Sequence, residues 1–163
     1  MLKIIIKKAQ NHIEQHIELV SKIKNELKKN KFALEIIKDN NFDTNIIDAI
    51  SISFNDKLEA SAKTTDGKIE VNSNLIEKGF EIIMRYVIHE LVHVFQHMKD
   101  SNSDESEYLD NPDELEAFQY QVAYEADELG EESAINYVDE LMEFHEIPDD
   151  EKTSKKEELL KLV

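Results

Sequence analysis

Two histidines and one glutamate lie within the segment 89–93 at a spacing suited to binding a metal ion. His89 and His93 are four residues apart, and Glu90 directly follows the first of them. In an α-helix, residues at this spacing project from one face, so both imidazoles would point at the same ion. Zinc held in this way lowers the pKa of water toward ~7, and a neighbouring glutamate can take the released proton. The segment therefore indicates metal-assisted hydrolysis, with His89 and His93 as ligands and Glu90 as the general base.

A catalytic zinc ion usually has three protein ligands, so a third ligand must come from elsewhere in the chain. There is no cysteine, which leaves histidine and carboxylate. The extended motif with a third histidine six residues on does not apply, because that position is Lys99. His97 lies farther round the same helix, where we expect an outer or structural role. Asp113, Glu114 and Glu116 remain, and periodicity alone does not choose between the two glutamates.

A helix predicted over about 80–98 must position the histidine segment. Its apolar residues leave no clean polar face, and a helix of this kind must be buried. Burying His89, Glu90 and His93 with it is costly unless the three side chains find partners. A zinc ion would satisfy all three, so the composition of the helix and its motif support each other.

The remaining pattern predicts an α+β fold that is mostly helical. Apolar residues at spacings of three and four favour helices over about 9–30, 32–37 and 131–146, with a weak charged helix or frayed tail after 152. Another helix begins at Asn111, a suitable N-cap before Pro112, and ends near Gly130. An acidic, serine-rich loop over 100–110 precedes it.

A small antiparallel sheet is predicted between the first helices and the helix over 80–98. Residues 50–54 alternate apolar and polar side chains, as a half-buried strand does. Asp66 and Gly67 lie between two extended runs, 58–64 and 68–72, a pattern typical of a β-hairpin. We expect the segment 68–72 to be the edge strand beside the site.

The two motifs together resemble those of compact zinc peptidases. The segment His-Glu-Leu-Val-His-Val-Phe-Gln at 89–96, followed by Asn-Pro-Asp-Glu-Leu-Glu-Ala-Phe at 111–118, is similar to zincins of the gluzincin type, including the IrrE-like and SprT-like peptidases. The resemblance covers roughly residues 68–129 and implies a zincin-like fold. In several such families the third ligand is a glutamate directly before an alanine. That rule implies Glu116, which precedes Ala117.

The resemblance implies a zinc-dependent metallopeptidase, and because no targeting signal is apparent we expect an intracellular protein or peptide substrate. His89, His93 and Glu116 would hold Zn²⁺, and either Tyr120 or Tyr108 would donate a hydrogen bond to the oxyanion. We expect one domain over 1–163, with an N-terminal helical region over about 1–45, a sheet and active-site core over about 48–130, and acidic C-terminal helices over 131–163.

Charge is distributed unevenly along the chain. Residues 100–151 contain 20 acidic residues and no Lys or Arg, whereas residues 1–99 are nearly balanced, with 15 basic and 14 acidic residues. Nucleic-acid phosphates require Lys and Arg, so we expect no direct nucleic-acid partner. A basic protein partner would suit the acidic region. No segment approaches the ~18 apolar residues of a membrane span, and no signal peptide is apparent, so we expect a cytoplasmic protein.

Two alternatives belong to other classes of protein. The first is a weakly active or inactive zincin-fold binding module whose acidic surface engages a basic partner. The second is a di-iron carboxylate bundle, since Glu90 and His93 form a Glu-x-x-His unit. That site needs a second such unit, which the sequence lacks. Metal content and catalytic activity distinguish the first alternative from the peptidase.

Overall fold

The computed structural model describes residues 2–99 and 108–163, and these fold into helices around a small sheet. The helices are α1 (Leu2–Leu27), α2 (Lys31–Asp39), α3 (Ile46–Ala49), α4 (Phe80–Met98), α5 (Pro112–Leu129), α6 (Glu131–Phe144) and α7 (Lys152–Leu159). The strands are β1 (Ser51–Asn55), β2 (Ala62–Thr65) and β3 (Lys68–Asn72), and a 3₁₀ helix (Ser73–Lys78) leads into α4. The α+β class expected from the sequence is confirmed.

The sheet is mixed, not antiparallel, and its strand order is β1-β3-β2. The hairpin of β2 and β3 is confirmed, with positive φ at both turn residues, 50° at Asp66 and 71° at Gly67. However, β1 pairs with β3 in parallel. The chain between β1 and β2 crosses the end of β3, where Asn72 Nδ2 donates to the main-chain oxygen of Leu58 at 2.8 Å. As a result β3 is central, and the expectation that 68–72 forms an edge strand is wrong.

Helix α4 forms the centre of the larger apolar cluster. Its range is the one predicted, and residues on nearly all its sides are buried: Ile83, Met84, Val87, Ile88, Leu91, Val92, Val94 and Phe95. The sheet, the end of α1, α2 and one face of α5 pack around it. A helix that is apolar all round is therefore buried, as expected.

Helix α5 lies between the two apolar clusters and has buried residues in both. Ala117 and Tyr120 belong to the cluster around α4, whereas Phe118 and Val122 pack with α6 and Leu159 of α7. The Asn111 side chain accepts a hydrogen bond from Asp113 N at 2.9 Å, which confirms the predicted N-cap. The start of α5 is thus defined by its cap, and its orientation by packing on both sides.

Other expectations differ in extent. Helix α1 begins earlier than predicted, and Ile13 and Ile17 of its expected buried stripe are exposed, whereas Ile23 and Leu27 are fully buried. The segment after 152 is the helix α7, which buries Leu159. Of the acidic loop expected over 100–110, residues 100–107 lie outside the described residues.

Among the described helices, none is long and apolar enough to cross a membrane. The cytoplasmic location and the single domain stay predictions.

A buried ion pair joins α4 to α5 and α6. Arg85 Nη1 donates to Glu125 Oε2 at 2.9 Å, and Ser133 Oγ donates to Glu125 Oε1 at 2.8 Å. The side chains of Arg85 and Glu125 are only 12% and 4% exposed. Removing one partner would leave a buried charge without compensation.

We therefore expect Glu125→Ala to lower the free energy of unfolding by about 3–5 kcal/mol. Glu128→Ala, on the exposed side of the same helix, is the matched control and should change it by less than about 0.5 kcal/mol. Urea titration followed by circular dichroism measures both. Equal effects of the two substitutions would show that the ion pair does not stabilise the packing of α4 and α5.

Candidate metal centre

Helix α4 brings the imidazoles of His89 and His93 together. Their ring centroids lie 4.9 Å apart, and the two Nε2 atoms face each other at 3.1 Å. At that distance the two nitrogens cannot both carry a proton toward each other, so at least one presents a lone pair. His89 is also packed against the ring of Phe118 on α5, with centroids 4.6 Å apart. The helical spacing thus produces the shared face that the sequence predicts.

The carboxylate that lies against these histidines is that of Glu114, in the first turn of α5. Its Oε2 is 3.5 Å from His89 Nε2, and its Oε1 is 3.4 Å from His93 Nε2. One ligand atom from each of the three residues lies within 4.8 Å of the others. His89, His93 and Glu114 are therefore near enough to hold one metal ion.

Glu116, the position that the resemblance implied as ligand, lies elsewhere. It is exposed, and its Oε2 accepts a hydrogen bond from Gln96 Nε2 at 2.9 Å. The reason is helical phase, because residues two apart lie about 200° apart around a helix with about 3.6 residues per turn. Ala117 and Phe118 turn toward α4 and His89, and Glu114 precedes them by three and four residues, so it shares their side.

The electrostatics of the site favour an ionised Glu114. Burial opposes its ionisation, but the polar contacts and charge of His89 and His93 outweigh burial and lower the pKa of Glu114 to about 2. For His93, burial lowers the pKa, but Glu114, with further contributions from Glu90 and Gln96, raises it overall. The carboxylate is thus held as an anion beside two imidazoles.

The donor atoms fit a divalent metal ion. Imidazole nitrogen and carboxylate oxygen are common ligands of first-row divalent metals. Glu114 Oε2 and His89 Nδ1 are buried and lack a hydrogen-bond partner among the described residues. For the carboxylate oxygen, a cation between the three side chains would supply the missing partner.

Glu90 lies beside this group in a cleft of about 430 Å³ between α4, β2 and the start of α5. Glu90 is among the residues that line the cleft and is 7% exposed. Thr64 on β2 donates through Oγ1 to the main-chain oxygen of Glu90 at 3.1 Å, which ties the strand to the helix. A larger groove of about 630 Å³, between α1 and the start of α4, contains none of these groups.

The two candidate tyrosines lie in different places. Tyr108 lines the cleft with His89, Glu90 and Glu114, and burial together with the charges of Glu114 and Glu90 raises the pKa of its phenol. Tyr120 lines a separate, small hollow with Glu116.

His97 and Gln96 are among the other residues that line the cleft. His97 is exposed at the rim and lies outside the group of three residues that could hold a metal ion. The sequence analysis assigned no role to Gln96, although this residue follows His93 by three positions and so shares its side of the helix. Its Oε1 lies 2.7 Å from His93 Nδ1.

Comparison of the chain with protein-family models, with curated proteins and with solved structures finds no significant match.

Metal binding should separate the two glutamates of α5. Glu114→Ala removes a candidate metal ligand. Loss of a hydrogen-bond partner of a ligand typically weakens metal binding about 10–100-fold, and we expect Glu114→Ala to weaken divalent-metal binding by more than that. Glu116→Ala, two residues away, removes only a contact to Gln96, so it should weaken binding less than Glu114→Ala does and retain one equivalent at saturating metal. Equilibrium dialysis with elemental analysis measures both. Metal loss from Glu116→Ala alone would instead support Glu116 as the ligand.

These measurements need one precaution. His12 and His16 form another histidine pair on α1, with ring centroids 5.0 Å apart. All variants should therefore also be tested in a His12→Ala/His16→Ala background, so that metal bound to α1 is not counted.

Proposed function

We propose that this protein is a zinc-dependent metallopeptidase with a compact zincin-like fold. The observation that carries the proposal is the convergence of His89, His93 and Glu114 beside Glu90 in one cleft. Two histidines and one glutamate are a ligand set found in catalytic zinc sites that retain an open position. The zinc ion would be held by His89 Nε2, His93 Nε2 and the Glu114 carboxylate.

A bound zinc ion supplies Lewis acidity, since it polarises a carbonyl group and lowers the pKa of water. The side chains of the chain itself supply the proton transfer. Glu90 lines the cleft one residue after His89, where it can take a proton from water and later give it to the leaving amine. Glu114 remains an anion beside the histidines, and the role that we propose for it is that of metal ligand and not of general base.

The substrate that we propose is an extended segment of a protein or peptide. Strand β2 pairs with β3 and with no other strand in the described ranges 2–99 and 108–163. Ala62, Lys63 and Thr64 of this edge strand line the cleft. An extended chain can add to such an edge through main-chain hydrogen bonds. The role first assigned to the segment 68–72 thus passes to β2.

Glu90→Gln tests the proposed chemistry. The amide cannot act as a base, so cleavage of an unfolded protein should fall by at least ~10²–10⁴-fold. Zinc content should remain stoichiometric because the three proposed ligands are unchanged. Glu81→Gln, on the exposed first turn of the same helix, is the matched control and should keep full activity.

Gel assays and elemental analysis on the same preparations provide both readings. Unchanged cleavage by Glu90→Gln, or cleavage that persists in 1,10-phenanthroline, would contradict the peptidase proposal.

Tyr108 is the oxyanion donor that we propose. Its position in the cleft and its raised pKa keep a protonated phenol beside Glu90 and Glu114 at neutral pH. Tyr108→Phe should lower kcat by about 10²–10³-fold with little change in KM. Tyr120→Phe is the control, because Tyr120 lies outside the cleft. Equal losses in the two variants, measured by steady-state kinetics on a fluorogenic peptide, would contradict this role.

A second candidate is a zinc-holding binding module for a basic protein. The observation that favours it is the exposure of acidic side chains on the later helices, including Glu131, Glu132, Glu140 and Glu143 of α6. Cleavage abolished by chelation and by Glu90→Gln would rule it out. Stoichiometric zinc with no cleavage of any unfolded protein would support it.

A further inference from the structure

Gln96 connects a proposed metal ligand to the start of α5. Its Oε1 lies 2.7 Å from His93 Nδ1. Its Nε2 donates to the main-chain oxygen of Asp113 at 3.0 Å and to Glu116 Oε2 at 2.9 Å. One amide group thus contacts both helices that form the site.

The two contacts of Gln96 Nε2 determine which way the amide faces. A main-chain carbonyl oxygen only accepts hydrogen bonds, and so does an ionised carboxylate. If the amide were turned over, Oε1 would face two oxygen acceptors. The contacts with Asp113 and Glu116 therefore hold Nε2 toward α5 and Oε1 toward His93.

This orientation in turn determines the tautomer of His93. An amide oxygen has no proton to give, so the short contact requires that His93 Nδ1 carries the hydrogen and donates it. In the neutral imidazole the lone pair is then on Nε2. That atom is the one 3.4 Å from Glu114 Oε1 and 3.1 Å from His89 Nε2.

His89 has no comparable arrangement. Its Nδ1 is buried without a hydrogen-bond partner among the described residues, and its ring is packed against Phe118. Histidine ligands usually donate their other ring N–H to an oxygen acceptor. Within the described part of the chain, His93 meets this condition and His89 does not.

We infer that Gln96 and Glu116 are positioning residues, which hold His93 in the Nδ1–H tautomer and so present its Nε2 to a metal ion. The inference rests on the metal site of the proposed function. It gives Glu116, which is not placed to be a ligand, a role one contact removed from the metal. It also makes the His93 tautomer a property of the metal-free protein.

The direct test is ¹⁵N NMR of the histidine rings in the full-length, metal-free protein at a pH where they are neutral. The His93 signals are assigned by comparison with His93→Gln. We expect a protonated Nδ1 and an unprotonated Nε2. A mixture of tautomers, or protonation at Nε2, would overturn the inference.

Variants test whether Gln96 and Glu116 cause this state. Gln96→Met keeps the length of the side chain but neither donates nor accepts as the amide does, so His93 should become a mixture of tautomers and zinc affinity should fall about 10–100-fold. Glu116→Leu should do the same to a smaller degree. Glu116→Gln retains an oxygen acceptor and should restore both the tautomer and the affinity. Zinc affinity is measured by competition with a chromophoric chelator.

The outcomes separate this inference from the proposed function. If Gln96→Met changes neither the tautomer nor the affinity, the inference is wrong even if the protein is a peptidase. If the wild-type protein binds no zinc, the proposed function fails, and the tautomers of wild type and Glu116→Leu still decide whether Gln96 and Glu116 act on His93. If Gln96→Met does not fold, Glu116→Leu and Glu116→Gln provide the same comparison.

Discussion

The packing of α5 against α4 is the interaction on which the candidate site depends. His89 and His93 are set by the α4 helix alone, but Glu114 reaches them only because the two helices pack closely. Ala117 and Ala123, which are 0% and 2% exposed, are the small residues at this contact. The Asn111 cap defines where α5 begins, and the ion pair of Arg85 and Glu125 joins the helices farther along. Packing and capping together therefore place the Glu114 carboxylate beside the two histidines.

The same packing buries polar side chains, and their burial costs free energy unless they have hydrogen-bond or metal partners. A helix buried on nearly all sides carries His89 and Glu90, which are 6% and 7% exposed. Buried polar groups need partners, and the hydrogen bonds of Gln96 supply them for only part of the site. An arrangement that keeps a partly buried carboxylate ionised beside two imidazoles is more typical of a functional site than of a core selected for stability alone.

The sequence was most informative where local chemistry decides the structure. The range of α4, the Asn111 cap and the Asp66-Gly67 hairpin follow from periodicity, capping and turn preferences, and all three are confirmed. The parallel pairing of β1 was not predictable from alternation, because strand order depends on the path of the connecting chain.

In the candidate site, too, some features follow from local sequence and others depend on how the helices pack. His89 and His93 follow from helical spacing, whereas the choice of Glu114 over Glu116 depends on which side of α5 faces α4. Glu114 precedes Ala117 and Phe118 by three and four residues, so it lies on their side of α5. This spacing is the sequence feature that distinguishes Glu114 from Glu116. The most direct test of the account is a crystal structure of the zinc-loaded protein with anomalous data at the zinc edge. It should show one zinc ion about 2.0–2.2 Å from His89 Nε2, His93 Nε2 and a Glu114 oxygen. Zinc bound by Glu116, or absent from this site, would contradict the account.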